Sequence, residues 1–168
     1  MAFVNRAAQS YYTHARLWYL IDAKDQICGR LAGFIGQILQ GKTKPIFHPS
    51  RDLGDHVVVI NTKDIVLTGK NWDKKLYRHH TGYPGGLVEY RAKDLHKRDQ
   101  TLVLWRAVNG MLPKNNLRKP RMKRLYLFED DQHPFAANIF AKLEGPARIP
   151  KRLTEYTAEE IENYPKLY

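Results

Sequence analysis

The chain has 168 residues, of which 43% are hydrophobic and 27% charged; that is one domain's length with an ordinary globular balance, and it excludes wholesale disorder. A formal net charge of +11 points to a polyanionic partner, nucleic acid or an acidic membrane surface, while the lack of any run of 18 apolar residues argues against a membrane span. The single cysteine, Cys28, excludes an internal disulfide framework and a multi-cysteine metal site.

The first acidic residue is Asp22, and the stretch before it carries Arg6 and Arg16 among Ala, Ser and Tyr. Such a start fits either a residual organellar import signal or an ordinary basic arm, and without a sustained apolar core it does not fit a secretion signal. Leu17 to Ile21 is continuous and apolar and predicts a buried strand. Cys28, Leu31, Ala32, Ile35, Ile38 and Leu39 then recur at three- and four-residue intervals, which predicts a helix with Asp25 as its N-cap. Cys28 falls on the apolar side of that helix, as a small core residue. Gly41 stops the helix, with Lys42 and Lys44 just beyond.

Val57 to Ile60 is apolar throughout and β-branched, as expected of a strand covered on both faces in a parallel sheet. Ile65 to Leu67 is a second short run. Lys75 to His80 and Val88 to Arg91 predict strands on either side of the Gly82-Tyr83-Pro84-Gly85-Gly86 turn, forming a basic ribbon that projects from the sheet. Leu104, Trp105, Val108, Met111 and Leu112 define another helical stripe stopped by Pro113. Lys114 to Arg124 shows no apolar period and reads as a charged loop. Leu125 to Phe128 predicts a strand, and Pro134 is placed to open a short helix through Ala137, Phe140 and Leu143. From Glu144 onward the composition turns to Pro, acids and Tyr, which suggests an extension packed on a neighbour or disordered alone.

Charge is unevenly spread. Residues 63–124 hold 16 Lys and Arg against 5 Asp and Glu, equal to the excess of the whole chain. Within them, the stretch from Lys70 to Gly86 contains Lys74, Lys75, Tyr77, Arg78, His79, His80 and Tyr83. Cations neutralise phosphates, aromatic rings stack on unpaired bases, and glycine lets backbone approach closely, so this ribbon suits folded RNA better than it suits a merely solvated hairpin. The second cluster, Lys114, Arg118, Lys119, Arg121, Lys123 and Arg124, has no acid among it; its self-repulsion is relieved by a phosphate-rich partner.

Two enzymatic alternatives fare worse. Gly36 to Thr43 formally matches a nucleotide-binding GxxxxGK[ST] loop, but its apolar stripe puts Gly36 inside a helix and Gly41-Lys42 at the helix end, where the dipole disfavours anions. A metal-dependent phosphoesterase built from Asp52, Asp55, His79, His80 and His133 lacks any HExxH, paired CxxC or GxSxG spacing. Asp52 and Asp55 read better as orienting a turn around Gly54, and adjacent histidines on a strand point to opposite sides. No set of residues fills catalytic roles.

Several blocks occur together in order: Trp18 to Ala23, Gly29-Arg30-Leu31-Ala32, Gly41-Lys42, Gly54 to Asn61, Leu67-Thr68-Gly69-Lys70, His79 with Gly82 to Gly86, Ala107 to Asn115, and His133-Pro134. Together they resemble the L-thirteen family of large-subunit ribosomal proteins over about residues 17–143. The resemblance implies a three-layer α/β/α domain around a small, mostly parallel sheet, flanked by extensions at residues 1–16 and 144–168. It implies a structural, non-catalytic role, binding and stabilising large-subunit ribosomal RNA beside neighbouring ribosomal proteins, with no cofactor or metal. Carried over by position, Lys70 to Gly86 and Met111 to Arg124, Asn115 among them, become the principal RNA-facing segments; Lys42 and Lys44, just beyond the helix end, are further RNA-binding candidates. Cys28 stands where bacterial relatives commonly have Leu. The added ends resemble the mitochondrial branch, so a mitochondrial ribosome is expected, in the matrix, with a free RNA-binding regulator outside the ribosome as the alternative.

Overall fold

In a computed structural model that describes residues 15–146, the first apolar run forms strand β1, Trp18–Asp22, and the stripe after it folds as helix α1, Cys28–Gln40. Leu31, Ile35, Ile38 and Leu39 are buried on one face of α1, as the spacing requires. Gly41 ends the helix at φ 78°, and its N–H reaches the Gln37 and Ile38 carbonyls. The expected cap at Asp25 is not the one used. Asp25 sits in a turn at φ 58°, and the N-cap is Ile27, without a side-chain cap. A distant carbonyl substitutes for it: Ile27 bridges Val66 in parallel fashion, and the Cys28 N–H bonds the Val66 oxygen at 2.9 Å. This bridge is what becomes of the Ile65 to Leu67 run.

Strand β2, His56–Ile60, pairs parallel with β1, placing Trp18 opposite His56 and Ile21 opposite Val59. Strand β5, Leu125–Leu127, joins β2, and β6, Ala141–Leu143, joins β1, both parallel. The result is a four-stranded parallel sheet in the order β5-β2-β1-β6 within a mixed α/β fold. Val57, Val58 and Val59 are all 0% exposed, which explains why no polar alternation interrupts them. The intervening chain forms a 3-10 turn at Thr62–Asp64, helix α2 (Asn71–Lys74), an antiparallel ribbon of β3 (Leu76–His80) and β4 (Leu87–Arg91), and helices α3 (Ala92–Arg98), α4 (Leu102–Met111) and α5 (Arg118–Met122). The ribbon is a sheet of its own, as anticipated.

One face of the main sheet carries the core, where Ile21, Val57 and Val59 meet Leu31 and Ile35 of α1 and Leu104 and Val108 of α4. Cys28 belongs to this core, and burial pushes its thiol up to about 11 against the opposing pull of Lys75. The opposite face is aromatic. Trp18 stacks on His56 at 4.2 Å and on Tyr126 at 5.2 Å, and Phe135 closes on Tyr126 at 4.7 Å. This third layer comes from the segment around the 3-10 turn Ala136–Asn138.

Three expectations change. Pro134 does not open a helix through Leu143: after the 3-10 turn the chain becomes β6, because the free side of β1 takes Ala141 to Leu143 as its partner, and Phe140 is left exposed. Lys114 to Arg124 is not all loop, since it contains α5. On α4 the buried residues are Val103, Leu104 and Val108, whereas Trp105 is 40% and Met111 48% exposed. The expected extensions, residues 1–16 and 144–168, fall almost wholly outside the described residues.

Candidate nucleic-acid interface

The loop between α1 and β2 sets out the base of the basic region. Gly54 lies so close to the end of α1 that a Cβ there would stand 1.8 Å from the Leu39 carbonyl oxygen. Only glycine lets Asp52 and Asp55 flank this contact. Asp55 is 0% exposed, and its Oδ1 accepts from Lys44 Nζ at 2.6 Å and from the Leu17 N–H at 2.9 Å. Lys44 also donates to the Ala15 carbonyl at 2.7 Å. The loop thus pins the chain's approach to β1.

Asp52 gathers arginines. It accepts two bonds from Arg124, both at 2.6 Å, lies 3.7 Å from Arg121 Nε, and lies 3.6 Å from Arg16. Burial pushes the Asp52 carboxyl up, but the Arg124 hydrogen bonds and the charges of Arg124, Arg16 and Arg121 outweigh it and hold the group below its usual range. Arg124 also donates to the Leu39 carbonyl, supplying a cation at the α1 C-terminus, where the helix dipole favours one. The segment matching a nucleotide loop is therefore the last turn of α1 and its cap, with carbonyls and not amides at its end. Asp52 and Asp55, once weighed as metal ligands, are committed to cations. Among the described residues no group of three His, Cys, Asp or Glu could hold a metal ion.

The ribbon presents two unlike faces. Register places Tyr77 opposite Tyr90 and His79 opposite Val88 on one face, and Arg78 opposite Glu89 and His80 opposite Leu87 on the other. Tyr77 is half-buried against the core, with Arg106 of α4 at 5.2 Å and Lys75 at 5.6 Å from its ring centroid. Burial pushes the Tyr77 phenol up, against the pull of Arg106. Tyr77 thereby joins the ribbon base to α4 through contacts between cations and its ring. At the far end, His80 Nδ1 accepts from the Gly82 N–H at 2.9 Å, so the proton of the neutral ring sits on Nε2. Tyr83 stands 77% exposed at the tip. Arg78 is paired with Glu89 across the strands, both partly open to solvent.

The second arm leaves α4 at Pro113, whose carbonyl accepts from the Asn115 N–H at 2.9 Å and from Arg118 Nε at 3.3 Å. Helix α5 follows, with Pro120 in its first turn, where a missing N–H costs nothing. That turn sends alternate cations in opposite directions. Arg121 is 2% and Arg124 4% exposed, against Asp52, while Lys114, Lys119 and Lys123 face solvent. Arg121, Arg124 and Lys44, expected among the RNA-facing residues, have side chains buried in ion pairs with Asp52 and Asp55.

Helix α4 divides two concavities. One, of about 710 Å³, has Trp105, Asn109, Lys114, Asn115 and Lys119 in its wall. The other, of about 580 Å³, is bounded by Lys74, Lys75, Tyr77 and Arg106, with the bare Gly29 and Gly110. No acidic side chain among the described residues lines either, so every charged group in the two walls is a cation. Lys42 and Lys70 are exposed elsewhere on the surface. The Trp105 concavity was missed in sequence, since Trp105 falls within the apolar stripe of α4. Its signal was the run Asn109, Asn115 and Asn116 interleaved with cations.

A family profile, Ribosomal protein L13, matches residues 16–134. Large ribosomal subunit protein uL13m of Drosophila melanogaster is 40% identical over 98% of this chain and 93% of its own length. Large ribosomal subunit protein uL13 of Clostridioides difficile is 50% identical over 73% of this chain and 85% of its own. The uL13 of Dictyoglomus thermophilum is 46% identical, with coverages of 73% and 86%.

Proposed function

This chain belongs to the ribosomal protein L13 family, a family of structural components and not of enzymes, and from that premise we propose that it is a constituent of the large subunit of a mitochondrial ribosome, where it binds and stabilises large-subunit ribosomal RNA. The observation that carries RNA binding is the pair of acid-free, cation-lined concavities on either side of α4, held in one frame by the Tyr77–Arg106 contact. Mitochondrial membership is supported by the extent of the Drosophila match: it runs over 166 residues, whereas the Clostridioides match stops at 122. No helix among the described residues is long and apolar enough to cross a membrane.

In this reading Lys42, Lys70, Lys74, Lys75, Lys114, Lys119 and Lys123 meet phosphates, with Arg78 and Arg118 sharing their guanidinium groups between protein and RNA. Tyr83, His79, His80 and Asn115 face sugars or bases. Lys44, Tyr77, Arg121 and Arg124 hold the frame that presents them. Contacts of this kind read backbone and shape more than base edges. The test is sedimentation of a lysate and of purified mitochondria. The chain should travel with large ribosomal particles and be released by ribonuclease or high salt. Residence in light fractions would instead favour a free RNA-binding regulator.

A further inference from the structure

We propose that the concavity between α4 and the second arm receives a single unstacked RNA nucleotide, whose base lies on the Trp105 indole and whose phosphates lie on the lysines around it. The proposal rests on the RNA-binding reading above and sharpens it. Trp105 is the first observation. A tryptophan on a helix that packs on the core is ordinarily turned inward, yet this ring is 40% exposed while its neighbours Val103 and Leu104 are fully buried. The exposed ring forms part of the wall of a depression, where an aromatic surface can be covered from above.

The size fits one nucleotide. About 710 Å³ lies within the range of roughly 300–1,000 Å³ typical of sites for single small molecules. The chemistry fits as well. Asn109, Asn115 and Asn116 contribute side-chain amides to the wall, and none of the three has a hydrogen bond from that amide to another described residue. An amide offers both donors and an acceptor, as the edge of a base does. Lys114, Lys119 and Lys123 supply charge for the flanking phosphates, with no acid in the wall. The wall is also preformed, because the Pro113 carbonyl holds Asn115 and Arg118, so little ordering remains to be done on binding. A platform with cations around it is how unpaired bases are held, and the platform works for any base because each has a π face.

The experiment uses the full chain and three RNA probes: a uridylate pentamer, the same pentamer with its central base removed, and a twelve-base-pair duplex. The pentamer should quench tryptophan emission and bind about tenfold more tightly than the abasic pentamer, the margin expected of one stacked base. Trp105→Ala should remove the quenching and equalise the two pentamers, Trp105→Phe should keep most of the preference, and duplex affinity should stay the same in both. Equal binding of the two pentamers by the unaltered chain, or a base preference that survives Trp105→Ala, overturns the nucleotide pocket while leaving RNA binding intact. Failure of all three RNAs to bind in a salt-sensitive way overturns the RNA reading itself, and the pocket with it. Ultraviolet cross-linking of assembled ribosomes gives a second reading: the peptide spanning Trp105 should carry one nucleotide, and its recovery without one counts against the pocket.

Discussion

Two sets of cations share one eleven-residue segment and have opposite fates. Arg121 and Arg124 turn inward and surround the Asp52 carboxylate, whereas Lys114, Lys119 and Lys123 remain in solvent beside Trp105. Their charges are the same on paper, but the inner pair serves the protein and the outer trio serves whatever approaches it. What separates them is the short helix α5 and the turn that follows it, where the Arg124 N–H bonds the Arg121 carbonyl at 3.1 Å and both arginines come to a common side, together with the choice of guanidinium over ammonium. A planar fork can satisfy a carboxylate and a helix carbonyl at once, as Arg124 does with Asp52 and Leu39.

The comparison breaks most readily at Asp52. Asp52→Ala leaves two interior guanidinium groups without a counter-charge and should cost about 3–5 kcal/mol in urea unfolding of the full chain; a cost below about 1 kcal/mol would mean that the inner arginines are not a structural unit. Gly54→Ala, which drives a methyl into the Leu39 carbonyl, should cost about 1–3 kcal/mol by the same measurement, with RNA affinity following the folded fraction only. The outer set should behave in reverse. Changing Lys114, Lys119 and Lys123 together to Ala should alter stability by no more than about 0.5 kcal/mol, yet lower the slope of log affinity against log salt by about two to three.

Smaller effects should appear in pH. Asp52 has a depressed carboxyl, so its contribution is complete above the ordinary value of 3.8 and is lost as pH falls from there through the folded value. Asp52→Asn should flatten that limb of an acid-unfolding curve. His56 is held below its ordinary 6.5, first by burial and then by Arg124 and Arg16, with Asp55 opposing. The unfolded chain therefore takes up this proton before the folded one does, and stability should decline as pH drops from 6.5 toward the folded value. His56→Phe, which retains a ring against Trp18, should remove the decline.

Much of the fold was legible because periodicity and burial coincide in α1, β1 and β2, and because Gly41 and the Gly82 to Gly86 turn have few other uses. Legibility failed where a distant partner decides the outcome. Asp25 lost its capping role to the Val66 carbonyl, and the 141–143 segment became a strand because β1 had a free side. In the site, the ribbon and its basic character could be read from residue type alone. The division within Lys114 to Arg124 could not, since the inward positions in and just after α5 are Arg121 and Arg124, where an apolar stripe would have announced a helix. Trp105 was obscured for the converse reason: an aromatic in an apolar row looks like core until its neighbours are seen to fill that core without it.

Because β1 lies between β2 and β6, the earliest strand of the described chain gains its second neighbour only from the last. During synthesis its backbone on that side must wait, unpaired, until residue 143 has left the exit tunnel. Pairings so far apart along the chain are slow to form, and an open strand invites pairing with other chains in the interval. Such a nascent chain would gain from a holding chaperone, or from early capture by the particle it is destined to join.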